Sequence, residues 1–180
     1  SVNVLMEKPK AAITANVQGA NNFGGALLSQ YAKCVLAEDA TLAATTAGLN
    51  VTTNVEGKEV AYQGGVYFVV EKFYAAQVGE AKYETFAEAV EAAEAGATVE
   101  LLNDATGAGV VINKNLTIDF GGKTYTANAG VGSAGTQTLA LQILKGNNVT
   151  LQNGTLTSEG ENIKMLINNY ANLTVNNMKL

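Results

Sequence analysis

Acidic residues are the first candidates for chemistry, because the chain has no His, no Arg and no basic residue other than Lys. The three Asp residues, Asp39, Asp104 and Asp119, lie far apart in sequence, and no repeat brings them to equivalent positions. General acid–base catalysis needs two titratable groups held in one cleft. The sequence therefore predicts no catalytic residue, and we expect a protein that is not an enzyme.

Metal ions and cofactors are not expected either. Four carboxylates follow one face of a predicted helix: Glu84, Glu88, Glu91 and Glu94. A helix face spreads its side chains apart, whereas calcium needs several oxygens that converge on one point. The Gly-rich stretches 19–25 and 130–135 lack the Gly-X-X-X-X-Gly-Lys-Ser/Thr spacing that cradles a phosphate. We interpret these features as a solvated helix face and plain loops.

Three Asn residues each begin a copy of one repeated phrase. The copies read Asn115-Leu-Thr-Ile-Asp, Asn148-Val-Thr-Leu-Gln and Asn172-Leu-Thr-Val-Asn. Alternating apolar and polar residues predict strands with one buried face, so that Thr points outward. We expect Asn115, Asn148 and Asn172 at equivalent turns, where their amides form a structural ladder. They also begin Asn-X-Thr glycosylation sequons, which we interpret as a by-product of the repeat.

A short amphipathic helix is predicted before the first copy. Thr85-Phe-Ala-Glu88 has the pattern of a capping box, in which Thr85 and Glu88 satisfy each other's backbone amides. Gly96 is predicted to end the helix as the residue after the C-cap. The apolar residues recur at helical spacing, so one face is expected to be buried: Phe86, Ala89, Val90 and Ala93.

The spacing of the repeat predicts the architecture of residues 73–180. The copies begin at 115, 148 and 172, which gives intervals of 33 and then 24 residues. Self-similarity at such intervals is typical of solenoids. The helix would cover the first turn of the solenoid. We also expect the natural chain to continue beyond Leu180, or another subunit to cover the end near Leu180, because an uncovered strand edge invites pairing.

Residues 1–72 are predicted to form a small β-rich domain that serves as an anchor or interaction module. Strands are expected at 2–6, 11–17, 49–55, 59–63 and 66–72, with a loop at 19–25. Residues 26–37 fit either a helix or a strand. An alternative is that the whole region consists of earlier, irregular turns of the same solenoid.

The residues that follow Tyr83 resemble a known superfamily. Tyr83-Glu-Thr-Phe-Ala-Glu-Ala-Val, then Gly96-Ala-Thr-Val-Glu-Leu-Leu and Asp119-Phe-Gly-Gly-Lys123, are similar to the start of pectate-lyase-like proteins. The resemblance covers about residues 75–180. It implies a mainly β fold: a right-handed parallel β-helix with an N-terminal capping α-helix. The superfamily includes lyases, hydrolases, adhesins and phage tail proteins, so the resemblance says little about function.

Composition narrows the classes of partner. The net charge of −5 argues against nucleic acid. No apolar run reaches the length of a transmembrane helix. The single Cys, Cys34, excludes an intramolecular disulfide but assigns no compartment. Tyr residues suggest a surface glycan as a further candidate partner, although Trp is absent.

The leading hypothesis is a non-enzymatic, extracellular structural or adhesive module of a bacterial cell surface. It would act as a stiff display or attachment element. It would meet a protein partner or neighbouring subunits through residues 1–72 and the end near Leu180. One alternative is a virion fibre or decoration protein anchored through residues 1–72. The other is the N-terminal part of a polysaccharide lyase or hydrolase whose active site lies beyond residue 180.

Overall fold

The computed structural model describes residues 13–22, 32–44, 47–160 and 162–180. The chain divides into two compact units, Ser1–Lys72 and Phe73–Leu180. We call them the first and the second unit. The strand predicted at residues 2–6 and part of the loop predicted at 19–25 lie outside the described residues.

The described residues of the first unit form seven strands. They are β1 (Ile13–Val17), β2 (Ala20–Asn22), β3 (Ala32–Leu36), β4 (Thr41–Ala43), β5 (Val51–Thr53), β6 (Lys58–Gln63) and β7 (Val66–Glu71). One sheet has the order β1-β3-β5 with parallel pairs, and the other has the order β2-β4-β7-β6. The loop prediction is wrong for residues 20–22, which form β2. The segment 26–37 fitted either a helix or a strand, and its described part forms strand β3.

The β6–β7 hairpin shows how local sequence builds this unit. Gly64 and Gly65 both have positive φ, which a two-residue hairpin turn of the primed type needs. The turn places Tyr62 directly opposite Tyr67, with ring centroids 4.5 Å apart. Tyr67 is buried with a small apolar cluster: Cys34, Leu36, Ala40 and Leu42.

One helix and eleven strands lie in the part of the second unit that the structure describes. They are β8 (Ala76–Val78), β9 (Ala81–Tyr83), α1 (Phe86–Ala92), β10 (Thr98–Leu101), β11 (Ala105–Ala108), β12 (Val110–Ile112), β13 (Leu116–Asp119), β14 (Thr124–Ala129), β15 (Leu139–Ile143), β16 (Asn148–Ser158), β17 (Met165–Asn169) and β18 (Asn172–Lys179). The largest sheet follows the order β11-β14-β16-β13-β10-β8-β9, and β18 also pairs with β16. A separate sheet has the order β12-β15-β17.

The strands that carry the repeated phrase pair in parallel. Strand β10 pairs with β13, β13 with β16, and β16 with β18. The same register holds throughout, so one Thr from each strand falls in a single row. We call it the Thr row: Thr98, Thr117, Thr150 and Thr174.

The predicted fold class is wrong in its architecture. The described residues are mainly β with one helix, but their sheets mix parallel and antiparallel pairs and are not those of a parallel β-helix solenoid. Two features explain the difference. The hairpin β8–β9 joins the parallel strands through an antiparallel pair between β8 and β10. In addition, β16 pairs with both β13 and β14, which joins their ladders into one curled sheet instead of separate faces.

Three aromatic side chains fill the core beneath α1. The Phe86 ring lies 4.6 Å from the Tyr125 ring and 6.4 Å from the Phe120 ring, between centroids. The Tyr125 hydroxyl donates to the Ala108 carbonyl at 2.6 Å, and burial raises the pKa of Tyr125 to about 12. Tyr125 is therefore a neutral, hydrogen-bonded core residue rather than a reactive one.

A bend in β16 allows that strand to pair with both β13 and β14. Asn153 has a φ of 59°, which redirects the chain in the middle of the strand. The next residue, Gly154, sits against Phe120 and the carbonyl of Lys123. A side chain there would collide with both, so the close approach requires glycine.

We expect Gly154→Ala to destabilise the second unit by about 3 kcal/mol, because a Cβ has no room between Phe120 and Lys123. Urea unfolding followed by circular dichroism measures the change. Thr157→Ala, an outward residue of the same strand, serves as the control and should change stability by less than about 0.5 kcal/mol. Equal effects of the two substitutions would contradict the packing argument.

Candidate functional site

Thr85 and Glu88 begin helix α1. The Glu88 N–H donates to Thr85 Oγ1 at 3.2 Å, and the Thr85 N–H donates to Glu88 Oε2 at 3.1 Å. These two contacts form a capping box. At the other end, Lys114 Nζ donates to the carbonyls of Glu91 and Ala93. The helix is thus closed at both ends by side chains, and its role is structural.

Gly96 does not directly follow the C-cap. The helix ends at Ala92, Ala93 is the C-cap, and Gly96 lies three residues further on. It has a φ of 88° in a turn that the Ala97 N–H closes onto the Glu94 carbonyl at 3.0 Å. The prediction that Gly96 ends the helix as the residue after the C-cap is therefore wrong. The C-cap itself is extended, so the chain leaves the helix before Gly96 is needed.

The acidic residues of the described ranges do not converge into a metal site. Among the described residues, no group of three or more Cys, Asp or Glu side chains could hold a metal ion. Asp39 lies in an exposed turn of the first unit, and Asp104 accepts the Thr124 N–H at 2.7 Å. The glutamates of α1 are exposed, and Glu88 is engaged in the capping box.

Asp119, the last residue of β13, forms a polar corner. Its carboxylate accepts from Gln152 Nε2 at 2.7 Å, from Asn153 Nδ2 at 3.1 Å and from the Gly121 N–H at 2.9 Å. Desolvation raises the pKa of Asp119, but these hydrogen bonds together outweigh it and hold the pKa below its usual value. The signal was present in the sequence: Asp119 and Gln152 are 33 residues apart, as are Asn115 and Asn148.

The three Asn residues of the repeat form a hydrogen-bonded line, which we call the Asn row. Asn148 N–H donates to Asn115 Oδ1 at 2.7 Å, and Asn172 Nδ2 donates to Asn148 Oδ1 at 3.0 Å. A second contact runs alongside, from Asn177 Nδ2 to Asn153 Oδ1 at 3.5 Å. The row lies across three adjacent parallel strands, and its role in the structure is to align them.

Beyond β18 the sheet has an unpaired side. Strand β18 pairs with β16 and β17 pairs with β15, and no strand of the described ranges pairs with their other sides. We call these two sides the open edge. The Asn172 N–H donates to the Asn147 carbonyl at 3.0 Å, toward β16. The N–H and C=O groups of successive residues in a strand point to alternate sides. Those of Leu173 and Val175 therefore face outward at the open edge.

Apolar side chains are exposed beside the open edge. Ile118, Leu151 and Val175 occupy one row of the sheet, and their exposed fractions are 0%, 0% and 43%. The first two are covered by the strands that follow them, and Val175 has no such cover among the described residues. Met165 and Tyr170 are exposed on the neighbouring strand and its following turn. The end of the core is therefore accessible at this place.

Comparisons of the chain with protein-family models, with curated proteins and with solved structures found no match in any of the three. The resemblance to the pectate-lyase-like superfamily stays a prediction. Function must therefore be argued from the geometry of the open edge and from the side chains near it.

The length of the helix bears on whether it could cross a membrane. Within the described ranges, no helix is long and apolar enough to cross a membrane.

We expect Asp119→Asn to lower the stability of the second unit by about 1 kcal/mol at neutral pH, after allowance for solvent screening. The folded-state pKa of Asp119 lies below the unfolded value of about 4. The carboxylate therefore stabilises the fold above that value, and this contribution is lost as the pH falls through the folded-state pKa.

Chemical unfolding over a series of pH values measures this effect. The difference between wild type and Asp119→Asn should shrink below about pH 4. Asp39→Asn, in an exposed turn of the first unit, is the matched control and should change the stability of the second unit little. A difference that does not depend on pH would mean that the carboxylate charge does not matter to the corner.

Proposed function

We propose that this protein is a non-enzymatic structural module that attaches to another polypeptide outside a bacterial cell. The single observation that carries the proposal is the open edge. It combines unpaired peptide groups with exposed apolar side chains, of which Val175 is 43% exposed. These are the two surfaces that an added strand would cover.

The chemistry of the open edge supports attachment. Natural edge strands are commonly protected by Pro, by charges or by bulges. Strands β17 and β18 contain no Pro, and their only charged residue is Lys179, at the end of β18. A strand edge with so little protection is suited to accept an extended segment of a partner, a mode known as β-augmentation.

The state of the titratable groups supports a non-enzymatic role. Asp104 and Asp119 are engaged with backbone or amide donors, and the Tyr125 hydroxyl is buried. General acid–base catalysis requires a pair of such groups in one cleft. A polysaccharide-acting enzyme with its active site beyond residue 180 has no specific support among the described side chains.

The extracellular location is proposed from the composition. Charged residues make up only 15% of the chain, and the repeated strands display Thr and Asn outward. The one thiol, Cys34, is buried, and desolvation raises its pKa, so it behaves as a small apolar residue rather than a reactive one. Such a thiol is compatible with an oxidising environment.

The virion alternative has no comparable support. It requires residues 1–72 to bury apolar surface against a partner, and residues 1–12, 23–31 and 45–46 of that region lie outside the described ranges. The described core of the first unit packs Leu36, Leu42 and Tyr67 within the unit itself.

Selection from a phage library tests the attachment role. We expect random peptides of about 12 residues, long enough for one strand, to be enriched on the full chain. Val175→Lys should abolish the enrichment, because it places a charge where apolar side chains must pack. Thr174→Lys is the matched control, since its side chain projects from the opposite face of the same strand. Enrichment that survives Val175→Lys would refute the proposed function.

A screen on acidic polysaccharides tests the non-enzymatic role. We expect the full chain to release no unsaturated or reducing ends from a broad panel, because Asp104 and Asp119 are held by backbone and amide donors and are not paired with each other. Ultraviolet absorbance detects lyase products and a reducing-sugar assay detects hydrolase products. Turnover that is lost on Asp119→Asn or Asp104→Asn would contradict the proposal.

A further inference from the structure

We infer that the open edge takes one class of partner: an extended segment that adds parallel to β18 and repeats the Asn-apolar-Thr-apolar phrase of this chain. The inference rests on the proposed attachment role and goes further, because it specifies the direction, the register and the side chains of the partner.

The direction follows from three consecutive interfaces. The pairs β10–β13, β13–β16 and β16–β18 are all parallel and all keep the Thr row in register. The outer side of β18 presents the next interface of the same series. The N–H and C=O groups of Leu173 and Val175 point to this side, and a strand that continues the series would pair with them in parallel.

The register follows from the Asn row. Asn115 Oδ1 accepts from the backbone of β16, and Asn148 Oδ1 accepts from the side chain of Asn172. The remaining member, Asn172 Oδ1, accepts no hydrogen bond from the side chains and backbone that the structure describes. An Asn amide at the first position of an incoming phrase would satisfy it, as the Asn172 amide satisfies Asn148 Oδ1.

The apolar positions follow from the burial gradient. Leu116 and Val149 are 3% and 2% exposed and share a row with the half-buried Leu173. The next row ends in Val175, which is 43% exposed. Apolar side chains at the second and fourth positions of an incoming phrase would continue these two rows and cover Leu173 and Val175.

A second copy of the chain fits the open edge less well. A two-fold dimer would pair β18 with itself in antiparallel orientation, because a strand related to its neighbour by such an axis runs in the opposite direction. Asn172 would then face the end of β18 near Lys179, and the Asn row would be broken. Head-to-tail stacking would place β18 against β9, a strand of three residues, Ala81–Tyr83, that has no Asn.

Binding of a synthetic peptide tests the inference on the full chain. The probe is a fluorescent peptide with the sequence of residues 163–180, which carries the phrase and the strand before it. We expect saturable binding, and binding about fivefold weaker when the peptide Asn that corresponds to Asn172 is Ala, since one hydrogen bond is lost. Replacing the peptide's Thr that corresponds to Thr174 with Ser is the matched control and should change binding little.

The direction is measured with nitroxide labels in nuclear magnetic resonance spectra. A label at the peptide's N-terminus should broaden the protein amides near Met165, where β17 begins, and a label at its C-terminus those near Lys179. An antiparallel pattern, or affinity that ignores the Asn, would overturn the inference and leave the attachment role intact. Failure of the peptide to bind would also overturn it, whereas failure of the phage selection would refute the attachment role itself.

Sedimentation equilibrium decides between a partner segment and a second copy. We expect the full chain to remain monomeric at concentrations where the peptide binds. A dimer that Val175→Lys dissociates and Thr174→Lys does not would show that a second copy occupies the open edge, and it would overturn the inference.

Discussion

Backbone pairing between parallel strands of equal register is the constraint on which the second unit depends. A peptide group withdrawn from water must find a partner, and β10, β13, β16 and β18 find theirs in one another. Because side chains alternate between the two faces of a strand, equal register places the Thr row on the outer face and the apolar rows on the inner face. The Asn row follows as well, because equal register places Asn115, Asn148 and Asn172 side by side.

The corner at Asp119 and Asn153 turns that ladder into a curled sheet. Asn153 bends β16 while its amide donates to the Asp119 carboxylate, and Gly154 allows the bend to close against Phe120. One strand can then pair with β13 before the bend and with β14 after it. A polar network and one glycine thus determine the sheet order, although neither belongs to the apolar core.

Coverage of the core differs between the two ends of the second unit. Helix α1 buries Phe86 and Val90 against one end, and the capping box keeps its first turn in place. At the other end, the apolar rows finish in Leu173 and Val175, with outward peptide groups beside them. Parallel pairing joins β16 to β18, and the other side of β18 has no partner strand among the described residues. The proposed function and the parallel direction of the proposed partner both follow from this contrast.

The sequence by itself determined the local elements: the alternation at Leu116–Asp119 specifies a strand, and Thr85 with Glu88 specifies a helix start, because both depend on neighbours in the chain. The 33-residue spacing between Asn115 and Asn148 also indicated that these members of the Asn row occupy equivalent positions. Tertiary structure alone decided the architecture. The antiparallel β8–β10 pair and the two partners of β16 depend on contacts between distant residues, which periodicity does not encode. For the same reason, burial distinguishes Val175 from Leu151, although the two occupy the same place in the repeated phrase.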